Sequence, residues 1–346
     1  MSKTIKHIAV MRLSAMGDVA MTVPVLRALV QQHPELRITF VSRPFYQPFF
    51  KDIPNVSFFT FDKQHRHKGL LGVFRLYRDI KELNIDAFAD LHNVLRSKIV
   101  RRLLFLSGKK VVSVNKGRRE KKAMTRSQNK NFRQLTTMFQ RHADVFGELG
   151  FPVDLSKPVF PVKQTLDKQT HAATGDHIQK WIGIAPFAQY ELKTYPSDMM
   201  AEVIDLLAAH KDYKLFLFGG GEKEIEILDS FSHGKANVIT VAGKLPFENE
   251  LQLISNLDLM LSMDSGNAHI AAMYGVPVVT LWGATHPYLG FAPFGQSLEN
   301  AIVSNREVFP KLPTSVYGNK KVVGYKDVMR TIPIEKVLEN VKRIIG

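Results

Sequence analysis

Residues 257–283 read LDLMLSMDSGNAHIAAMYGVPVVTLWG. The apolar run Leu257–Met263 predicts a strand, Asp264-Ser265-Gly266 a turn of small and polar residues, Asn267–Tyr274 a short helix, and Val276–Trp282 a second strand. Strand, turn, helix and strand in so short a span make one unit of a parallel sheet, because parallel neighbours need a crossover and a helix supplies it. The strands are apolar almost throughout, as expected where helices cover both faces of the sheet.

The same alternation extends outward in both directions. Trp181–Phe187, Tyr213–Gly219 and Val238–Ala242 read as further strands, with helical spacing over Ser197–His210, Glu222–Phe231 and Glu248–Ser255. In the first half His7–Leu13, Arg37–Arg43, Val56–Phe61, Asp86–His92 and Lys110–Asn115 read as strands, with helices at Val19–Gln32 and Leu70–Leu83. Between the halves, Phe151–Lys180 is interrupted by Pro152, Pro158 and Pro161 and reads as the boundary. The expectation is an α/β protein of two doubly wound parallel-sheet domains facing a cleft, 1–165 and 166–333, followed by an amphipathic helix at Ile334–Ile345. Ligands of such sheets bind beyond the carboxyl ends of the strands, so the turns there are the places to look for chemistry.

At 346 residues the chain exceeds one ordinary core, and 45% apolar with 23% charged residues is a globular balance. It contains no cysteine, which removes disulfides, thiolate metal sites and cysteine nucleophiles. No stretch approaches the roughly 20 apolar residues of a membrane span. The first residues run directly into a strand and a glycine turn, which reads against a signal peptide, so a cytoplasmic location is expected. The net charge of +15 is uneven: residues 1–165 hold 30 Lys and Arg against 12 Asp and Glu, and the remainder is mildly acidic. A basic half predicts an anionic partner: nucleic acid, an acidic membrane surface or a phosphorylated substrate.

Four turns carry candidate chemistry. After the first strand comes Ser14-Ala15-Met16-Gly17-Asp18. Asp18 there is either only a helix cap or a carboxylate suited to take a proton from a hydroxyl. The turn has neither the three-glycine dinucleotide spacing nor the lysine of a P-loop. In the second half, the N–H groups of Ser265, Gly266 and Asn267 open a helix and can hold a phosphate, with His269 one turn on as a further donor. Lys193, after the strand at 181–187, is placed to be a phosphate partner. Gly219-Gly220-Gly221-Glu222 allows a flat ligand against the backbone, with Glu222 accepting from ribose hydroxyls.

Taken together, these residues resemble glycosyltransferase family 9, the lipopolysaccharide heptosyltransferase family. The anchors are RLSAMGDVAMTVPVLRAL (12–29), FGGGEKE (218–224) and MDSGNAHIAAMYGVPVVTLWGAT (263–285), supported by DLHNVLRS (90–97), which resembles the acceptor-side segment and brings in Arg96 and Ser97. The resemblance implies the GT-B architecture, with the C-terminal helix returning to the first domain. It implies inverting, metal-independent transfer of a sugar from a nucleotide diphosphate donor, ADP-heptose in most of the family, to a hydroxyl of a lipid-linked saccharide. Asp18 then matches the general base and Lys193 the donor-phosphate lysine. Asp264, Ser265, Gly266 and His269 match the donor site, with Asn267 beside them, and Glu222 or Glu224 the ribose acid. No cofactor or metal is expected, since no paired-aspartate metal motif lies in these turns, and aimed N–H groups with Lys193 can stabilise a leaving diphosphate.

One basic stretch remains, KGRREKKAMTRSQNK (116–130), with seven Lys and Arg and one Glu. It reads either as a solvated flexible loop or as a clamp on an anionic acceptor through Lys116, Arg118, Arg119, Lys121 and Lys122, placed in the first domain, with peripheral contact at the inner membrane surface. Two rival readings stay open at this point: a GT-B-like nucleotide-sugar epimerase and a basic nucleic-acid-binding protein. The second lacks any helix-turn-helix, RRM or zinc-finger pattern.

Overall fold

A computed structural model describes residues 4–346. The chain divides into two compact units. The first, residues up to Lys116 with Met138–Phe160, holds a five-stranded sheet: β1 (His7–Met11), β2 (Arg37–Ser42), β3 (Val56–Thr60), β4 (Ala87–Asp90) and β5 (Lys110–Ser113). Their order is β3-β2-β1-β4-β5, every pair parallel, with Ala9 beside Thr39 on one side and Phe88 on the other. Ala9, Met11, Val41 and Phe88 meet Leu76 and Ile80 of the helix Gly69–Glu82 and Val100 and Leu104 of the helix Leu95–Leu106 in one buried cluster. The inner strands β1, β2 and β4 are buried along most of their length, which is why they read as apolar runs, while the edge strands β3 and β5 are partly exposed.

The second unit, Gly117–Thr137 with Pro161–Gly346, holds β6 (Lys180–Ala185), β7 (Tyr213–Leu217), β8 (Val238–Thr240), β9 (Leu259–Met263), β10 (Val278–Trp282) and β11 (Ala301–Val303). Its order is β11-β10-β9-β6-β7-β8, again all parallel. In each sheet the chain winds first to one side and then to the other. The direction reverses beside β1 and β4 in the first and beside β6 and β9 in the second, where such sheets leave a crevice at their carboxyl ends.

The structure departs from expectation in several places. The single helix read over Val19–Gln32 is two, Met16–Ala20 and Val23–Gln32, because Pro24 lacks an N–H and fits only in a first turn. The boundary is not one cut. Residues 117–137 lie in the second unit, inside a stretch assigned to the first. Their first part is a helix, Arg118–Met124, and not a flexible loop. The C-terminal helix Ile334–Ile345 is also in the second unit. Its Val337 and Val341 are fully buried in that unit's core, and it packs on the helix Ser197–Ala208 and against β9 and β10. Its apolar stripe is covered within this unit.

Gly283, just past β10, shows how tightly the strand ends are packed. A Cβ there would lie 2.2 Å from the Leu192 carbonyl oxygen and 2.5 Å from the Met329 sulfur. The neighbouring Ala284 N–H donates to that same carbonyl at 2.9 Å, so the turn that carries Lys193 leans directly on this glycine. Gly283→Ala should therefore destabilise the protein by about 1–3 kcal/mol. Chemical denaturation measures it, and an unchanged midpoint would mean that the turn can retreat without cost.

Candidate active site

In the first unit the site is built at the carboxyl ends of β1 and β4. After β1 the chain turns through Leu13–Ala15 into the helix Met16–Ala20, which places Asp18 in its first turn. The Asp18 carboxylate accepts the Ala15 N–H at 3.3 Å and forms an ion pair with the Arg12 guanidinium. Arg12 is buried, and its other arm donates to the Leu91 carbonyl at 2.8 Å, just beyond β4. The carboxylate therefore caps the helix and is also aimed by a fixed cation, with its side chain still 30% exposed. Arg12 was not among the residues expected at the site, although a charge closing an apolar strand is a visible signal.

Three further groups surround this pair. His92 is buried and its imidazole is pushed down to about 3, first by burial and then by the Arg12 and Lys116 charges, so it is neutral at physiological pH. Burial pushes the Tyr46 hydroxyl up, with Arg43, Asp18 and Arg12 all within electrostatic reach. Asp90, fully buried, accepts the N–H groups of His92 and Asn93 at 3.0 and 2.7 Å and pairs with Arg101 at 3.1 Å, which fixes the turn after β4. Of the two residues expected from 90–97, Arg96 is half-buried with its guanidinium 4.9 Å over the Phe61 ring. Ser97 is buried, and its hydroxyl accepts the Val94 N–H at 3.0 Å and donates to the Val94 carbonyl at 3.1 Å. That pattern is a helix cap.

In the second unit the equivalent crevice lies at the ends of β6 and β9. Lys193 sits in a short turn, Glu191–Lys193, and its ammonium meets the Asp264 carboxylate at 2.8 Å. Thr285, beyond β10, donates to the same carboxylate oxygen at 2.7 Å. Both side chains of the ion pair are nearly buried, 13% and 11% exposed. Ser265 is extended and the helix Gly266–Met273 follows, so the N–H groups of its first turn have no partner within the helix. His269 is buried in that helix. Thr285 is the residue missed here: nothing in its spacing announces a contact with Asp264.

The glycine loop separates the two acids. Glu224 accepts the Gly220 N–H at 2.8 Å and is half-buried, and a Cβ on Gly219 would come within 2.9 Å of Leu228 and 3.2 Å of Glu224. Glu222, at the start of the helix Glu222–Ser232, is exposed. The basic segment is tied down within the second unit. Lys121 is buried with its ammonium 3.8 Å over the Phe291 ring, and Met124 and Leu135 form a buried cluster with Leu289. Lys130 donates to the carbonyls of Lys311 and Pro313 at 2.8 and 2.6 Å. Arg118, Arg119 and Lys122 are exposed, and Lys116 is half-buried at the end of the first unit's opening stretch. A clamp confined to the first domain is thus corrected.

Two parallel-sheet units with polar crevices at their strand ends are the architecture of GT-B glycosyltransferases. Residues 73–319 match the model of glycosyltransferase family 9 (heptosyltransferase), and the chain belongs to that family. It is 26% identical, over 98% of its length and 97% of the relative's, to the lipopolysaccharide core heptosyltransferase OpsX of Haemophilus influenzae. In structure it is similar to a family 9 glycosyltransferase from Veillonella parvula, with TM-score 0.76, 21% identity, and 100% and 98% of the two chains covered. It is also similar to the ADP-heptose lipopolysaccharide heptosyltransferase II of Escherichia coli, with TM-score 0.67, 19% identity, and 98% of each chain covered. The epimerase and nucleic-acid readings give way: the protein is a glycosyltransferase.

The environment of His92 has a measurable consequence. In the fold it stays neutral down to about pH 3, whereas an unfolded chain takes up a proton near pH 6.5. The unfolded state therefore binds more protons as pH falls, so this contribution to stability is full above pH 6.5 and is lost progressively toward pH 3. His92→Gln should flatten the fall in unfolding free energy between pH 6.5 and 4. Wild-type and variant curves of equal slope would show that the imidazole takes up its proton within the fold.

Proposed function

We propose that this chain transfers heptose from ADP-heptose to a hydroxyl of a lipid A–core saccharide, with inversion and without a metal ion. The observation that carries the reading is the Lys193–Asp264–Thr285 cluster beside the start of the helix Gly266–Met273. It puts a fixed cation and a row of N–H donors at one crevice, where a diphosphate is best stabilised. The names of the similar proteins from Haemophilus influenzae and Escherichia coli support heptose, the lipopolysaccharide core and ADP-heptose as sugar, acceptor and donor.

The chemistry follows from the charges. The acceptor hydroxyl gives its proton to the Asp18 carboxylate as its oxygen bonds to the anomeric carbon. The bond from that carbon to the diphosphate breaks with its electron pair, and ADP departs. A single displacement inverts the anomeric centre. Arg12 keeps Asp18 turned to its task. Lys193, His269 and the N–H groups of Ser265, Gly266 and Asn267 receive the charge that builds on the leaving diphosphate. Glu224, already oriented by Gly220, reads the ribose hydroxyls, and exposed Glu222 has no such support. Arg96, Lys116, Arg118, Arg119 and Lys122 offer charge to the phosphates and carboxylates of the acceptor.

Asp18→Asn should abolish transfer, a loss of roughly 100- to 10,000-fold, with ADP affinity by calorimetry unchanged. Near-normal turnover would reduce Asp18 to a helix cap. Activity should survive excess EDTA, and loss with recovery on added magnesium or manganese would overturn the metal-free route. Glu224→Gln should raise the donor KM by about tenfold or more, since a hydrogen bond to a charged group contributes roughly 1.5–3 kcal/mol. Glu222→Gln should leave it within about twofold, and the reverse order would transfer the ribose role to Glu222.

A further inference from the structure

The lysine of the second unit's crevice is held along its side chain as well as at its tip. Lys193 carries its ammonium on a flexible four-carbon stem, and such a stem has many rotamers, so something must fix it if the charge is to stay in one place. At the tip the partner is Asp264. Along the stem the partner is the backbone of Gly318. A Cβ there would stand 2.6 Å from the Lys193 Cγ and closer still to the Cδ, so any side chain at 318 drives the stem aside. The same Cβ would stand 3.6 Å from Tyr190, which precedes the turn that carries Lys193.

The loop that bears Gly318 is anchored on both sides. The N–H groups of Thr314 and Ser315 both donate to the Ala284 carbonyl, at 2.9 and 3.2 Å, next to Gly283. Ser315 is fully buried. Its hydroxyl accepts the Gly318 N–H at 2.9 Å and the Tyr317 N–H at 3.3 Å, and donates to Asn319 at 3.0 Å. Gly318 itself has φ +87°, which glycine adopts without strain. Earlier in the loop, the Lys311 and Pro313 carbonyls receive the Lys130 ammonium. Lys130 closes the basic segment 116–130, and two of its three N–H donors are spent on the backbone. It differs in this from the exposed Arg118, Arg119 and Lys122. Lys130, the loop and Lys193 all belong to the second unit.

We infer that the loop 311–319 positions Lys193. Gly318 presses on the lysine stem and keeps the ammonium at Asp264, Ser315 holds Gly318 there, and Lys130 ties the loop to the basic segment. These three are positioning residues and touch no substrate. A diphosphate entering the crevice then meets a cation whose place is already set, and a charge fixed in advance is what stabilises a developing anion. That last step rests on Lys193 being the donor-phosphate lysine, as proposed above. The seating of the lysine does not.

Acylation of Lys193 by an N-hydroxysuccinimide ester, read by peptide mass spectrometry against the exposed Lys211, reports on the seating directly. Gly318→Ala should raise the rate by about tenfold or more, since it frees a nearly buried ammonium from a charged partner. Lys130→Met, which leaves the loop's own residues intact, should raise it by about threefold or more. ADP affinity by calorimetry should fall by similar factors, and neither substitution should weaken it further in a Lys193→Ala background. Wild-type acylation in folded Gly318→Ala would overturn the inference, and if that variant does not fold, Lys130→Met decides in its place. Losses of ADP affinity that add to the loss in Lys193→Ala would overturn it as well. If Lys193→Ala binds ADP as wild type while Gly318→Ala still bares the amine, the seating stands and the lysine leaves the diphosphate site instead.

Discussion

A single ion pair, Lys193 to Asp264, joins the ends of the two central strands of the second sheet, and Thr285 extends the bond to a third. With both side chains nearly buried, neither charge is tolerable without the other, since removing one partner leaves an uncompensated charge. The pair thus does structural work before any ligand arrives. It holds the turn after β6 against the turn after β9, and Gly283 admits the close approach by having no side chain. The first unit uses the same device: Arg12 bridges from the end of β1 to the Leu91 carbonyl and takes Asp18 as its partner. In each sheet a cation and a carboxylate occupy the place where the winding reverses.

Most of the fold was legible because the inner strands of both sheets are buried and therefore largely apolar. Both sheets, the glycine turns and the helix Ile334–Ile345 appear in the residue pattern itself. What escaped has physical causes. The helix Leu95–Leu106 carries Arg96, Lys98, Arg101 and Arg102, whose charges obscure its apolar stripe. β11 spans only Ala301–Val303 at a sheet edge, too short for a period to show. The helix Arg118–Met124 draws its stability from distant partners such as Phe291 and Leu289, and no local pattern announces those.

The candidate site divides along the same line. Asp18, Lys193, Asp264 and the small residues after it were singled out because they lie in the segments that follow strands, and topology makes those segments informative. Arg12, His92 and Thr285 were not, because their importance lies in contacts between chain segments far apart in sequence. Ser97 shows the converse: a hydroxyl in a suggestive segment proves to hold the backbone of its own helix. The two acids of the glycine loop differ only in the structure: Glu224 accepts the Gly220 N–H, and Glu222 is exposed.

The interleaving of the two units bears on how such enzymes can be recombined. The chain passes from one unit to the other after Lys116, after Thr137 and after Phe160, so neither unit is a continuous stretch of gene. A chimera spliced once near residue 160 would separate Met124, Leu135 and Phe132 from Leu289, Tyr288 and Phe291 and graft an orphaned apolar cluster onto a foreign partner. Exchange of the second unit among relatives therefore has to carry residues 117–137 along with 161–346. The basic segment travels as part of that unit's inheritance.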